Sequence, residues 1–159
     1  MDKVKELYKK GISALASGNT DLARIFLGWA IETGKATPEI FANSGVINRK
    51  LGNLETALDL LRIAVDREPE NGNFHYNLAL VYGDLGQLDF AENHYKMAVG
   101  IIPGMVDAYN NLGNINKRKK NVNGAVFYYK QAIKIDSSYI PAYRNLADLC
   151  EISGDHLTA

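Results

Sequence analysis

The chain has 159 residues, 47% of them hydrophobic and 23% charged, which suits one folded domain with a sizeable core and excludes a disordered chain. Eighteen basic residues balance eighteen acidic ones, so overall charge points to no polyanionic partner, and nucleic acid is not expected. The single cysteine, Cys150, rules out an intramolecular disulfide and a cysteine-rich metal site, and no apolar run approaches the ~20 residues that span a bilayer. The charged start lacks the apolar core of a secretory signal, and the expected location is the reducing cytoplasm.

Taken in chain order, apolar periodicity predicts a first pair of helices over 2–16 and 20–33, turning at Gly18-Asn19. A second pair spans 38–50 and 54–67, with its turn at Gly52-Asn53. A third covers 72–84 and 88–101 around Gly86-Gln87. The fourth covers 106–118 and 122–135, where Lys120 takes the glycine position. A last helix over 140–153 precedes Gly154-Asp155. Glycine suits these turns because it adopts a left-handed backbone without a Cβ penalty. Thr37-Pro38 and Pro141 open helices; Pro69 and Pro103, 34 residues apart, follow the ends of others.

The spacing is internal repetition. Ala23, Ala57, Ala91, Ala125 and Ala159 recur at 34 residues, as do Ala30, Ala64, Ala98 and Ala132. Small residues belong where two helices cross closely, and Leu61, Tyr95 and Tyr129 fill the space between them. The units run 4–37, 38–71, 72–105 and 106–139, with a half unit at 140–159, inside a single domain 1–159. No hairpin buries enough surface alone; stacking makes a continuous core. The expected fold is all-α: a right-handed superhelical solenoid of helix-turn-helix units with the first helices lining a concave face. The half unit leaves two readings open, a piece of a longer array or an array closed by one capping helix.

The pattern resembles the tetratricopeptide repeat family. Unit four carries Tyr109, Leu112-Gly113, Ala125, Tyr129 and Ala132, and unit three carries Leu78-Ala79, Tyr82, Ala91, Tyr95, Ala98 and Pro103. Unit one is the weakest match, and Lys35 and Ser137 stand at proline positions. The resemblance implies a protein-interaction scaffold. Consistent with that, no catalytic or cofactor constellation is present. His75, His94 and His156 have no metal-ligand partner at helical spacing, and His75 reads as helix packing. Cys150 reads as a small core thiol.

Function in such folds resides at positions the packing does not dictate. Asn43, Asn77, Asn111 and Asn145 recur at the same place of successive first helices, although asparagine is a mediocre helix former. A carboxamide both donates and accepts, so a row of them could clamp an extended peptide; the competing reading is hydrogen bonding between adjacent repeats. The row resembles the asparagine ladder in the repeat arm of O-linked N-acetylglucosamine transferases, which implies peptide binding here. Tyr76, Leu80, Asn110, Asn114, Arg49, Lys117 and Arg118 complete the predicted groove, with Tyr76 and Leu80 as an apolar contact and Lys117 and Arg118 for an acidic group. Chaperone co-factors of this fold grip a terminal carboxylate with lysine and asparagine. Tyr8 and Ile12 occupy two of those positions here, so strong recognition of that tail is not expected. The run Lys117 to Lys120 reads as favourable charge at a helix C-terminus. Phe26, Trp29, Phe127 and Tyr128 form a candidate convex patch for self-association. The alternatives to a free-standing scaffold are a substrate-recruiting arm of a larger enzyme, such as a glycosyltransferase, and a self-assembling scaffold.

Overall fold

The computed structural model describes residues Asp2 to Ser153, with side chains as far as Leu149. Among the described residues there are nine α-helices and no strand: α1 (Lys3–Ala16), α2 (Thr20–Glu32), α3 (Pro38–Lys50), α4 (Leu54–Arg67), α5 (Gly72–Asp84), α6 (Leu88–Ile101), α7 (Val106–Arg118), α8 (Val122–Ile135) and α9 (Ile140–Ser153). Helix α1 starts one residue later than the periodicity predicts. Asp2 is its N-cap and accepts from the Val4 N–H at 3.1 Å. Helix α2 ends one residue earlier, at Thr33 and the left-handed Gly34. Cys150 falls outside the described side chains.

Helices pair in order as α1–α2, α3–α4, α5–α6 and α7–α8. Each second helix brings a small–large–small set to the crossing, such as Ala57, Leu61 and Ala64 or Ala125, Tyr129 and Ala132, all 0% exposed. The first helix answers with Gly11, Gly45, Ala79 or Gly113. A Cβ added to Gly45 would lie 2.6 Å from Leu61 Cγ, and one on Gly113 would penetrate the Tyr129 ring. The turns are left-handed at Gly18, Gly52 and Gly86, and Lys120 adopts the same conformation at φ 60°. A lysine there costs about 1 kcal/mol that glycine does not.

Hairpins then stack, α3 on α2, α5 on α4, α7 on α6 and α9 on α8. Helix α9 shows which side of a first helix faces which neighbour. Ala142 and Leu149 stay buried against the preceding hairpin, whereas Ile140 and Tyr143 are 66% and 47% exposed. The buried stripe corresponds to Ile40 and Ile47 in α3, Phe74 and Val81 in α5, and Ala108 and Ile115 in α7, all buried. On α1 the same stripe reads Glu6, Lys10 and Ser13, with a 2.6 Å ion pair between the first two. That edge of the stack is built for water. Helices α3 and α5 touch directly, as do α7 and α9, while no two second helices pack on each other to that extent. The first helices therefore line the tighter, inner side.

The corner of hairpins two to four is filled in one of two ways. In hairpins two and four, buried Asn48 and Asn116 donate to Ser44 and Leu112 carbonyls at 2.9 Å and accept from the turn residues Asn53 and Asn121. Hairpin three fills it with a ring stack: Tyr82 lies on Phe90 and on His94, and His94 lies on His75. His75 is 1% exposed, as the packing reading requires. Its Nε2 meets the Pro69 carbonyl at 2.8 Å and its Nδ1 meets His94 Nδ1 at 2.9 Å. Helical spacing gives no hint of this histidine pair, whose members stand 19 residues apart.

Candidate functional site: the inner face

The asparagine row lies on the inner side, half-buried at every rung. Three rungs are hydrogen-bonded to the preceding first helix. Asn43 Nδ2 donates to Tyr8 Oη at 3.0 Å, Asn111 Nδ2 to Tyr76 Oη at 3.4 Å, and Asn145 Nδ2 to Asn110 Oδ1 at 2.8 Å. Each spans 35 residues, one more than the repeat. Arg49 reaches Asp84 at 2.6 Å and Arg118 reaches the Gly83 carbonyl at 3.0 Å across the same interval. A 34-residue repeat places equivalent residues one hairpin apart, and the lean of successive first helices brings position i next to i+35.

The fourth rung differs. The residue 35 before Asn77 is Ala42, which carries no polar side-chain atom. Asn77 makes no side-chain hydrogen bond to any described residue. No buried side-chain polar atom among the described residues lacks a partner, so its amide is open to water. Half-buried Val46 and Leu80, one turn further along α3 and α5, supply apolar surface on the same side.

The other predicted groove residues are mostly engaged by the protein itself. Asn110 is 7% exposed and held by Asn145, so it is not offered to a ligand, contrary to the sequence expectation. Asn114 accepts from Tyr129 Oη at 2.9 Å and from Asn145 at 3.1 Å. Lys117 stands 3.9 Å from Asp148, and Arg118 Nη1 donates to the Gly83 carbonyl at 3.0 Å. Lys119 pairs with Asp89 and Glu92 at 2.6 and 2.7 Å; the basic run therefore joins hairpins rather than only meeting a helix dipole.

Two phenols on this face are shifted. Burial, reinforced by the Glu39 carboxylate that accepts from it at 2.6 Å, pushes Tyr8 up to about 12. Burial, with the Asp107 charge nearby, raises Tyr76. Both therefore remain protonated at neutral pH, Tyr8 donating to Glu39 and Tyr76 accepting from Asn111.

The candidate convex residues occupy two places. Phe26 and Trp29 meet edge to face on α2, Phe127 and Tyr128 on α8, and α4 and α6 stand between them in the stack. Trp29 and Phe127 are 50% and 55% exposed. Among the described residues no group of three or more potential metal ligands occurs, and no helix is long and apolar enough to cross a membrane.

The Tetratricopeptide repeat family matches the chain over residues 44–106 and again over 106–139. The chain belongs to the tetratricopeptide repeat family. No curated protein is significantly similar in sequence. Solved structures of this family superpose closely at low identity, which establishes the shared fold. MamA, residues 41 to the end, from Desulfovibrio magneticus RS-1 is 20% identical with a TM-score of 0.90, covering 98% of this chain and 88% of that solved chain. YrrB, described as a tetratricopeptide repeat protein with an unusual peptide-binding site, is 22% identical with a TM-score of 0.83, covering 89% of this chain and 73% of its own. The first tetratricopeptide domain of Spaghetti, solved with an HSP90 peptide, is 19% identical with a TM-score of 0.71, covering 75% of this chain and 94% of that one.

Proposed function

We propose that this protein is a non-enzymatic scaffold whose inner face binds an extended peptide segment of a partner protein. The observation that carries the reading is the open carboxamide of Asn77, one turn before half-buried Leu80 on α5, with half-buried Val46 on the neighbouring α3. A free donor–acceptor pair next to apolar surface suits a peptide main chain and a neighbouring apolar side chain. Peptide recognition by YrrB and by the Spaghetti domain supports the same use of this fold. A terminal carboxylate is not the proposed ligand. Asn43, the one residue that fits such a clamp, is already bonded to Tyr8, and Tyr8 donates to the Glu39 carboxylate, whose charge would repel a ligand carboxylate nearby.

The test is selection of phage-displayed random peptides on the purified protein. Enriched peptides should lose binding to Leu80→Glu and keep binding to Asp59→Ala on the outer side. Enriched peptides that bind Leu80→Glu as well as the wild type would overturn the reading, as would selection that enriches none.

A further inference from the structure

The row of asparagines is uniform in sequence and uneven in structure, and the unevenness has one source. The residue 35 positions before each row asparagine is Tyr8, Ala42, Tyr76 or Asn110. Where that residue carries a polar side chain, an N–H of the asparagine amide is spent on it. Only Ala42 leaves an asparagine with no part of its amide engaged by a described residue. The joint is not loose, because Arg49 ties α3 to α5 through Asp84. It is braced by charge, and its carboxamide is left to the solvent.

We propose that residue 42 sets where the inner face docks a ligand: a methyl group there leaves the whole Asn77 carboxamide, donors and acceptor, to a peptide main chain, while the other three rungs commit an N–H to bracing the stack. This rests on the peptide-binding reading given above, and narrows it. A ligand engages through one backbone amide at Asn77, with an apolar side chain placed on Val46 and Leu80. It is not clamped rung by rung along the groove. The preferred partner segment is therefore short and extended, and it is chosen by one apolar residue next to the docked amide.

The chain contains its own templates for closing this site. Asn110 and Asn145 show an asparagine holding the next rung at 2.8 Å, and Tyr8 and Asn43 show a tyrosine doing so at 3.0 Å. Ala42→Asn and Ala42→Tyr are expected to recreate these bonds, capturing Asn77 from within while leaving the asparagine itself in place.

The probes are peptides enriched from the random library on wild-type protein, resynthesised and titrated by fluorescence anisotropy. Asn77→Ala and Ala42→Asn should each weaken binding by about tenfold, the scale of one or two lost hydrogen bonds. Asn43→Ala and Asn111→Ala should weaken it by less than about threefold, a fraction of one such bond. Thermal melts establish that each variant is folded; Ala42→Tyr replaces Ala42→Asn if the latter is not, and the Asn77→Ala arm stands without either. A second readout needs no ligand: in proton NMR the Asn77 side-chain amide should exchange with water faster than those of Asn43, Asn111 and Asn145, and should slow in Ala42→Asn. Folded Ala42→Asn that binds with wild-type affinity would overturn the proposal. So would peptides that depend as strongly on Asn43 or Asn111 as on Asn77. Peptides insensitive to every inner-face substitution, Leu80→Glu included, would overturn the groove reading itself.

Discussion

Hairpins three and four share a frame and differ at one corner. Both cross on a tyrosine between two alanines, Tyr95 in one and Tyr129 in the other, each nearly inaccessible. At the corner, Tyr82 and Phe90 of hairpin three stand in register with Asn116 and Gly124 of hairpin four. The first pair stacks ring on ring, 5.2 Å between centroids. In the second, a Cβ on Gly124 would come within 2.5 Å of both Asn116 Oδ1 and Asn121 Nδ2, so the small residue makes room for the amides. Sizes at the two positions change together. These two hairpins thus carry an aromatic and a hydrogen-bonded corner on one frame, each with its own matched pair.

The largest effect is expected from the feature the two hairpins share. Tyr95→Ala and Tyr129→Ala should each cost about 4 kcal/mol, the toll of removing a buried ring. Chemical denaturation would measure it, and a much smaller loss in either hairpin would show that the common frame is not what carries stability. Next, Gly124→Phe alone should cost about 3 kcal/mol by overpacking the corner of hairpin four. Adding Asn116→Tyr should recover most of that loss. A double variant no better than the single one would mean that the aromatic corner cannot be transplanted.

Acid should act on hairpin three and spare hairpin four. Burial, with the His75 ring alongside, lowers His94 from 6.5 to about 4. His75 Nε2 must donate to the Pro69 carbonyl, so in the neutral pair His75 Nδ1 accepts from His94 Nδ1–H. The added proton goes to His94 Nε2, away from that contact, and burial is what opposes it. The unfolded chain takes up the proton first as pH falls below about 6.5, so stability declines from there and the contribution is exhausted below about 4. The difference between the wild type and His94→Leu over this window should be about 2 kcal/mol. Parallel stability–pH curves for the two proteins would remove the histidine pair from the comparison. The smallest effect is expected where the hairpins meet. Lys119→Ala breaks the pairs to Asp89 and Glu92, yet exposed ion pairs contribute only about 0.5 kcal/mol, and high salt should erase even that.

The hairpins, their boundaries and the crossing residues could be read before any coordinates because they follow from local causes. Glycine at the turns, alanine at the crossings and proline at the helix starts each answer a demand within a few residues. The ties of 35 residues were hidden for a different reason. They depend on how far one hairpin leans on the next, which no single repeat encodes. The asparagine row was therefore visible as a row, while the state of each amide was not. Ala42 drew no attention because its importance lies in the hydrogen bond it cannot make. The histidine pair was missed because its rings come from opposite arms of one hairpin, and the partners of Arg49, Lys117 and Arg118 were missed because they lie a full repeat away.

The polar stripe on α1 has a consequence for assembly. Solenoids whose last helices keep an apolar stripe can add copies end to end and grow without limit. Glu6, Lys10 and Ser13 offer no such seam, since another stacked hairpin would have to strip water from a formed ion pair and recover no apolar area in return. Extending a stack through that edge therefore gains no hydrophobic burial at these three positions. Replacing the three residues by Ile, Leu and Val, as the internal helices carry at those positions, would turn a terminator into a growing end.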